Sequence, residues 1–143
     1  ELMLYIEVIH KQMHNSMKFK STSESWYTVK SYPDYISMEI LGVYNATWFL
    51  GLPKLMILEA KKARAEKLLV NVKEVDFTNL STMERYFIGE EIANIVSYKL
   101  SVAVVAPEEI ITKFIETVAT NRGSNILVVS DLETAADWLK SQN

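Results

Sequence analysis

The sequence contains no cysteine and few glycines, prolines or histidines. Without cysteine the chain has no disulfide, no thiolate nucleophile and no cysteine-ligated zinc site. Its four glycines, at positions 42, 51, 89 and 123, are too scattered to form a glycine-rich phosphate loop or a GxSxG nucleophile elbow. These absences exclude several common classes of enzyme. The lack of cysteine is also typical of a reducing compartment, so we expect a cytoplasmic protein.

The charge balance and the hydropathy pattern lack the features of nucleic-acid-binding and membrane-spanning proteins. The formal net charge is -3, which leaves no basic surplus to neutralise a phosphate backbone. The apolar run at residues 2–6 is too short to cross a bilayer and lacks the features of a secretory signal. We therefore expect neither a nucleic-acid partner nor a transmembrane segment. At 143 residues and 49% hydrophobic, the chain fits one α/β-sized domain with a sizeable core.

Residues 1–25 are predicted to be an N-terminal extension to a domain over residues 26–143. Apolar residues recur in the extension every three or four positions, at Leu2, Ile6, Ile9, Met13 and Met17. This spacing favours a helix with one apolar face, whereas chain ends are often mobile. We therefore expect an extension that is either helical or mobile.

Few residues are candidates for catalysis or metal binding. His10 and His14 have the spacing of a two-histidine metal pair, but a site needs three or four ligands and no nearby aspartate completes the set. Acid-base chemistry would fall to Asp76, Glu84 or Asp131, and each is better explained as a solvated loop or helix-cap carboxylate. We therefore expect no catalytic residue, no metal and no cofactor, and a chain that is not an enzyme.

From residue 26 onward, the hydrophobic pattern predicts alternating strands and helices. Two extended runs around Pro33 and Asp34 predict a β-hairpin. Asn45 can cap a helix over residues 46–64, which is either kinked at Pro53 or begins there.

Three short apolar segments, at residues 68–72, 101–106 and 126–130, predict strands that are buried on both faces. Further helices are predicted at residues 82–98 and 107–121 and after residue 130, which makes about four helices in all. Strand-helix alternation after a hairpin predicts a single α/β domain with a mixed, mostly parallel sheet covered by helices.

The polar loop after the first of these strands, residues 74–82, has two interpretations. Ser81 and Glu84 match a capping box, in which each residue satisfies the backbone amide of the other. Ser130 and Glu133 repeat this spacing before the last helix.

In the second interpretation the loop is a binding site. It lies at the carboxyl end of a parallel strand, where sites gather, and beside a helix N-terminus. A phosphate on Thr78, Ser81 or Thr82 would add negative charge near Asp76 and repel an acidic partner. We therefore predict that these four residues form an interaction loop and a candidate phosphorylation switch.

A second candidate site lies on the helix over residues 46–64. Its large apolar residues include Trp48, Phe49, Leu52 and Met56. Such residues usually pack in the core, against the sheet. If they lie outward instead, they form a docking face or the opening of a cavity for an apolar ligand.

The order of elements and several motifs resemble the SpoIIAA-like branch of the STAS fold, the anti-sigma-factor-antagonist domains. The resemblance covers residues 26–139 and includes LLVNVKEVDF-TNLSTME, SVAVVAPEE and the ending SDLETAADWL, with Ala135, Trp138 and Leu139. It implies a SpoIIAA-like fold and a non-enzymatic regulatory module. In family members a serine of this loop is phosphorylated by a partner kinase that is also the anti-sigma factor, and by position only Thr78, Ser81 or Thr82 could take that role.

The resemblance also leaves other functions open. This branch is similar in fold to the lipid-binding CRAL-TRIO domains, which implies a lipid or another apolar small molecule as an alternative partner. A second copy of the chain is a further candidate partner, as a homodimer. An enzyme with an unrecognised site is the remaining alternative, and it would require a pocket with convergent polar groups.

Overall fold

The structure is a computed structural model that describes residues 16–20, 25–81, 83–84, 100–111 and 125–142. These residues form seven strands and two helices in the order β1 (Ser16–Lys20), β2 (Ser25–Ser31), β3 (Ile36–Val43), α1 (Ala46–Ala63), β4 (Lys67–Asn71), β5 (Val75–Asp76), β6 (Ser101–Val105), β7 (Asn125–Val129) and α2 (Leu132–Ser141). The other two of the four predicted helices, at residues 82–98 and 107–121, lie largely outside the described residues. Neither described helix is long and apolar enough to span a membrane.

The strands form one mixed sheet in the order β1-β2-β3-β4-β6-β7. Strand β2 is antiparallel to both β1 and β3, whereas the pairs β3-β4, β4-β6 and β6-β7 are parallel. The short strand β5 continues the line of β4 along β3. The predicted hairpin and the three adjacent parallel strands are therefore confirmed. The carboxyl ends of the parallel strands meet at one edge of the sheet.

Alternate residues of the central strands face opposite sides of the sheet and form two separate cores. Leu68 and Val70 belong to the larger core beneath α1, whereas Leu69 belongs to the smaller core beneath α2. Ala135 and Leu139 of α2 are fully buried in the smaller core. The two helices therefore cover opposite faces of the sheet.

Helix α1 begins at the predicted cap. The Asn45 side chain accepts a hydrogen bond from the Trp48 amide at 2.9 Å. The helix then runs continuously through Pro53, so it does not begin at that residue as one alternative proposed. Proline removes one amide donor from a helix interior. Here the burial of Phe49 and of Pro53 itself holds this part of the helix against the sheet.

Helix α2 is capped by Asp131 and not by Ser130, so the predicted cap is wrong by one residue. The Asp131 Oδ2 atom accepts a hydrogen bond from the Thr134 amide at 2.9 Å. A carboxylate is a stronger acceptor than a hydroxyl for a helix amide, and its charge suits the positive end of the helix dipole. Both effects favour a start at Leu132.

Strand β1 was not predicted. It lies within the predicted extension, yet it pairs with β2 from Ser16 opposite Lys30 to Lys20 opposite Trp26. The sheet therefore begins before residue 26, where the sequence placed the domain boundary. A strand of five residues gives a weak local signal, and the apolar spacing of residues 1–17 favoured a helix. The rest of the extension, residues 1–15 and 21–24, lies outside the described residues.

Candidate functional site

The predicted interaction loop is held in tight turns by its own hydrogen bonds. We call residues 76–81, together with Glu84, the cap loop. The Asp76 carboxylate accepts from the Thr78 amide at 3.0 Å and from the Thr78 hydroxyl. The Leu80 amide donates to the Phe77 carbonyl at 2.9 Å. These bonds leave the side chains of Thr78 and Asn79 exposed.

Ser81 and Glu84 form the predicted reciprocal cap. The Ser81 amide donates to Glu84 Oε1 at 3.0 Å, and the Glu84 amide donates to Ser81 Oγ at 3.2 Å. The helix-cap interpretation of Ser81 is therefore confirmed. The Ser81 side chain is also exposed at the surface. Thr82, the remaining residue of the predicted switch, lies outside the described residues.

The same hydrogen bonds set the charge of the cap loop. The Thr78 hydroxyl, and then the Thr78 amide, lower the pKa of Asp76. The Ser81 amide lowers the pKa of Glu84, with smaller effects from the Ser81 and Tyr44 hydroxyls. Both carboxylates therefore carry negative charge at neutral pH, and both act as hydrogen-bond acceptors within the loop.

The cap should make the fold sensitive to acid. In the folded chain the pKa of Glu84 lies below its ordinary value of 4.5. The ionised Glu84 side chain therefore stabilises the fold above pH 4.5, and this stabilisation is lost as the pH falls through the folded pKa. Glu84→Gln keeps a capping acceptor but removes the titration. We expect the free energy of unfolding to fall more steeply in the wild type than in Glu84→Gln between about pH 5 and about pH 3. Urea denaturation at each pH measures this, and equal slopes would contradict it.

Three of the four predicted apolar residues of α1 line an apolar cavity of about 90 Å³ between the helix and the sheet. We call this space the α1 cavity. Phe49, Leu52 and Met56 are buried and line it together with Pro53. The other lining residues come from the strands, the cap loop and the turn after β6, and they are Val70, Val72, Phe77, Leu80, Val104, Ala106, Ile110, Ile111, Ile126 and Val128.

No polar side chain lines the α1 cavity among the described residues. An ordered water needs at least two polar partners, so this space disfavours water. A larger side chain at Ala106 or Val104 would fill part of this space. The geometry therefore suits an apolar ligand.

Trp48 is not part of the cavity wall, unlike the other three predicted residues of this face. Its ring lies 5.3 Å from the Phe49 ring and 6.5 Å from the Tyr27 ring, measured between centroids. The Trp48 indole nitrogen is buried and has no hydrogen-bond partner among the described residues. Trp48 therefore packs the first turn of α1 against the sheet, beside the α1 cavity.

The sequence did not indicate the role of Tyr44. Its hydroxyl lies close to the Glu84 carboxylate, and its ring lies 4.9 Å from the Phe49 ring and 5.9 Å from the Phe77 ring. Burial, and then the negative charge of Glu84, raise the pKa of Tyr44 to about 12. Tyr44 thus connects the cap to the cavity wall. No local motif predicts this contact, because its partners are distant in the sequence.

Phe77 and Leu80 were also missed, although the sequence gave a signal for them. They are the apolar residues of an otherwise polar loop, and both pack against the larger core. An apolar side chain in a polar turn favours an inward orientation.

The remaining candidate residues do not form a site in the described structure. His10 and His14 lie outside the described residues. Among the described residues, no group of three or more histidines and carboxylates could hold a metal ion. Asp131 serves as the cap of α2, and the Thr134 amide lowers its pKa.

Comparison with solved structures identifies the fold. An uncharacterized protein of the DUF3478 family from Shewanella loihica PV-4, which has a SpoIIAA-like fold, superposes with a TM-score of 0.51 and 17% sequence identity. The match covers 85% of this chain and 98% of that protein. No protein-family profile matches the chain, and no curated protein is similar to it. The chain therefore has a SpoIIAA-like α/β fold, as the sequence predicted, and a similarity at this level of identity shows the fold alone.

Proposed function

We propose that the chain is a STAS-type regulatory module that acts by binding a protein partner and not by catalysis. The observation that carries this proposal is the geometry of the cap loop. Its hydrogen bonds fix the backbone while Thr78, Asn79 and Ser81 remain exposed beside the carboxyl edge of the sheet. Such edges are the usual binding edges of parallel sheets, and a fixed loop loses little entropy on binding.

Phosphorylation of Ser81 would change this surface in a defined way. The Glu84 carboxylate lies 3.0 Å from the Ser81 amide, so a phosphate on Ser81 would place two anions in the same small space. Their repulsion would favour release of the glutamate from the cap, while the phosphate itself would suit the helix N-terminus. A serine/threonine kinase that is also the regulated partner is the class of protein that fits this chemistry.

A matched pair of variants tests the interaction surface. Asn79→Arg changes the exposed tip of the cap loop, whereas Asp137→Arg places the same side chain on the exposed side of α2, on the opposite face of the sheet. We expect proteins captured from the native cell extract by the wild type to be lost with Asn79→Arg and retained with Asp137→Arg. Quantitative mass spectrometry of the captured proteins measures this. Equal capture by the two variants would count against the proposed surface.

Variants of Ser81 separate its capping role from its proposed switching role. Ser81→Ala removes the cap and should lower the free energy of unfolding by about 1 kcal/mol, whereas Ser81→Asp keeps a good cap and adds negative charge. We therefore expect Ser81→Asp to be near wild-type stability yet to lose the partner. Denaturation curves and capture assays measure the two effects.

Phosphosite mapping after incubation with kinase-containing extract and ATP should locate the label on Thr78, Ser81 or Thr82, and an unlabelled loop would leave Ser81 as a helix cap alone.

We propose a second candidate function, the binding of an apolar small molecule, because the wall of the α1 cavity is entirely apolar among the described residues. The wall offers dispersion contacts but no group that would hydrogen-bond a headgroup. A neutral hydrocarbon, or the hydrocarbon end of a larger molecule, fits this lining. Native mass spectrometry of protein purified from its own cells would detect such a ligand.

Filling the cavity tests this second candidate. Ala106 is buried in the cavity wall, so Ala106→Val should occupy part of the space and raise the free energy of unfolding by about 0.5–2 kcal/mol. It should also weaken the binding of benzene, used as a neutral probe, by about tenfold or more. Ala63→Val, at the exposed end of α1, is the matched control and should change neither quantity appreciably. Isothermal titration calorimetry measures binding, and equal affinity in all three proteins would contradict a site in the cavity.

A further inference from the structure

The cap loop has an inward face, which borders the α1 cavity, and an outward face, which is exposed. Phe77 and Leu80 line the α1 cavity, whereas Thr78 and Asn79, which lie between them in the sequence, are exposed. The hydrogen bond from the Leu80 amide to the Phe77 carbonyl joins the two inward residues directly. A molecule in the cavity would therefore contact the residues that support the outward surface.

A second connection runs through Tyr44. The Glu84 carboxylate accepts a hydrogen bond from the Ser81 amide and lies close to the Tyr44 hydroxyl. The Tyr44 ring in turn contacts the rings of Phe49 and Phe77, which line the cavity. The cap and the cavity wall are thus parts of one contiguous network of packed rings and hydrogen bonds.

We infer that the α1 cavity is an effector site, in which a bound neutral apolar molecule changes the affinity of the cap loop for its protein partner. This inference rests on the proposed function, because it joins the interaction surface and the apolar site into one regulatory device.

The coupling has a physical cause in the empty space beside Phe77 and Leu80. On their cavity side, Phe77 and Leu80 can gain contacts from a bound molecule. Such contacts would stabilise the hydrogen-bonded arrangement of the cap loop over any arrangement that does not fit around the ligand. By linkage, the partner must change the affinity for the ligand by the same factor, and measured couplings of this kind are about 5-fold to 150-fold.

The absence of cysteine provides a clean test. Asn79→Cys introduces a single thiol at the exposed tip of the cap loop, which a nitroxide spin label can report by electron paramagnetic resonance. Saturating benzene should reduce the mobility of this label. In the unlabelled chain it should slow hydrogen exchange of the Leu80 and Glu84 amides by about fivefold or more.

Two variants separate the binding of benzene from its effect on the cap loop. Ala106→Val should weaken benzene binding by about tenfold or more and, at the same benzene concentration, reduce the loop response with it. Tyr44→Phe keeps the ring but removes the hydroxyl that reaches Glu84, and Tyr44 is not part of the cavity wall. It should bind benzene within about twofold of the wild type. It should also lose most of the exchange protection at Glu84.

The outcomes distinguish the inference from the functions on which it rests. Benzene that binds in the cavity without altering the label or amide exchange overturns the effector role and leaves the apolar site intact. Failure of benzene to bind overturns both. The partner interaction is tested separately by Asn79→Arg, and once a partner is captured, benzene should change its dissociation constant by about fivefold or more. An unchanged dissociation constant would overturn the coupling while leaving the interaction surface in place.

Discussion

Replacing Phe49 with alanine is expected to lower the free energy of unfolding by about 3–5 kcal/mol, which is the range for truncating a buried phenylalanine. Phe49 is only 5% exposed, and its ring contacts those of Tyr44, Trp48 and Phe77. Its loss removes these aromatic contacts and adds its volume to the α1 cavity. Urea denaturation measures the change. Phe49→Leu, which keeps most of the apolar volume, should cost less than about 1.5 kcal/mol.

The same variant connects stability to the proposed ligand. An enlarged apolar cavity should accept benzene more readily, and a ligand at about one hundred times its dissociation constant stabilises the folded state by about 2.7 kcal/mol. Benzene should therefore restore much of the stability that Phe49→Ala loses. A loss below about 1 kcal/mol would show that the site collapses around the missing ring, and the cavity would then be too compliant to hold a ligand in one position.

Tyr27→Phe is expected to produce the second large effect, a fall of about 1–3 kcal/mol in the free energy of unfolding. The Tyr27 hydroxyl donates to Glu59 Oε2 at 2.9 Å, and both residues are 5% exposed. Removing the hydroxyl takes a donor from a buried carboxylate, whose remaining cationic neighbour, Lys62, lies at 3.6 Å. Burial, reinforced by Glu59, raises the pKa of Tyr27 well above 10, so the hydroxyl stays protonated and able to donate.

The control for this prediction is the same substitution at an exposed position. Tyr32 is 41% exposed, so Tyr32→Phe should change stability by less than about 0.5 kcal/mol. A double-mutant cycle that combines Tyr27→Phe with Glu59→Gln would measure how strongly the two side chains interact. If Tyr27→Phe were as mild as Tyr32→Phe, the buried hydrogen bond would contribute little to holding α1 against β2.

The parallel core of the sheet was predictable because its signal is local. Each of the segments at residues 68–72, 101–106 and 126–130 is a short apolar run, which is typical of a strand buried on both faces. That burial is found in β4 and β6, whereas only Ile126 of β7 is buried. The Asn45 cap and the Ser81 box were predictable for the same reason, since a cap is formed by residues three positions apart.

The errors have two kinds of cause, a contact that is distant in sequence and a competition between neighbouring residues. Strand β1, which was missed, forms only by pairing with β2. Of the two predicted starts of α1, the structure has the one at the Asn45 cap, and the first turns of the helix pack on the sheet. Helix α2 starts one residue later than predicted because two acceptors, Ser130 and Asp131, competed for the same cap and the carboxylate is the stronger.

For the candidate site, too, the sequence predicted what local patterns show and missed what depends on distant contacts. The sequence indicated Asp76, Thr78 and Ser81 as one group, and the apolar residues of the helix over residues 46–64 as another. It gave no reason to connect the two groups, since Tyr44, which joins them, belongs to neither motif.

The amino-acid sequence by itself determined the three parallel strands, the caps at Asn45 and Ser81 and the apolar character of α1, because these depend on neighbouring residues and on periodicity. Only the tertiary structure decided that a cavity remains beneath α1 and that the cap loop forms part of its wall. Packing leaves or fills a space according to how side chains from several distant segments meet, and no single segment encodes that outcome.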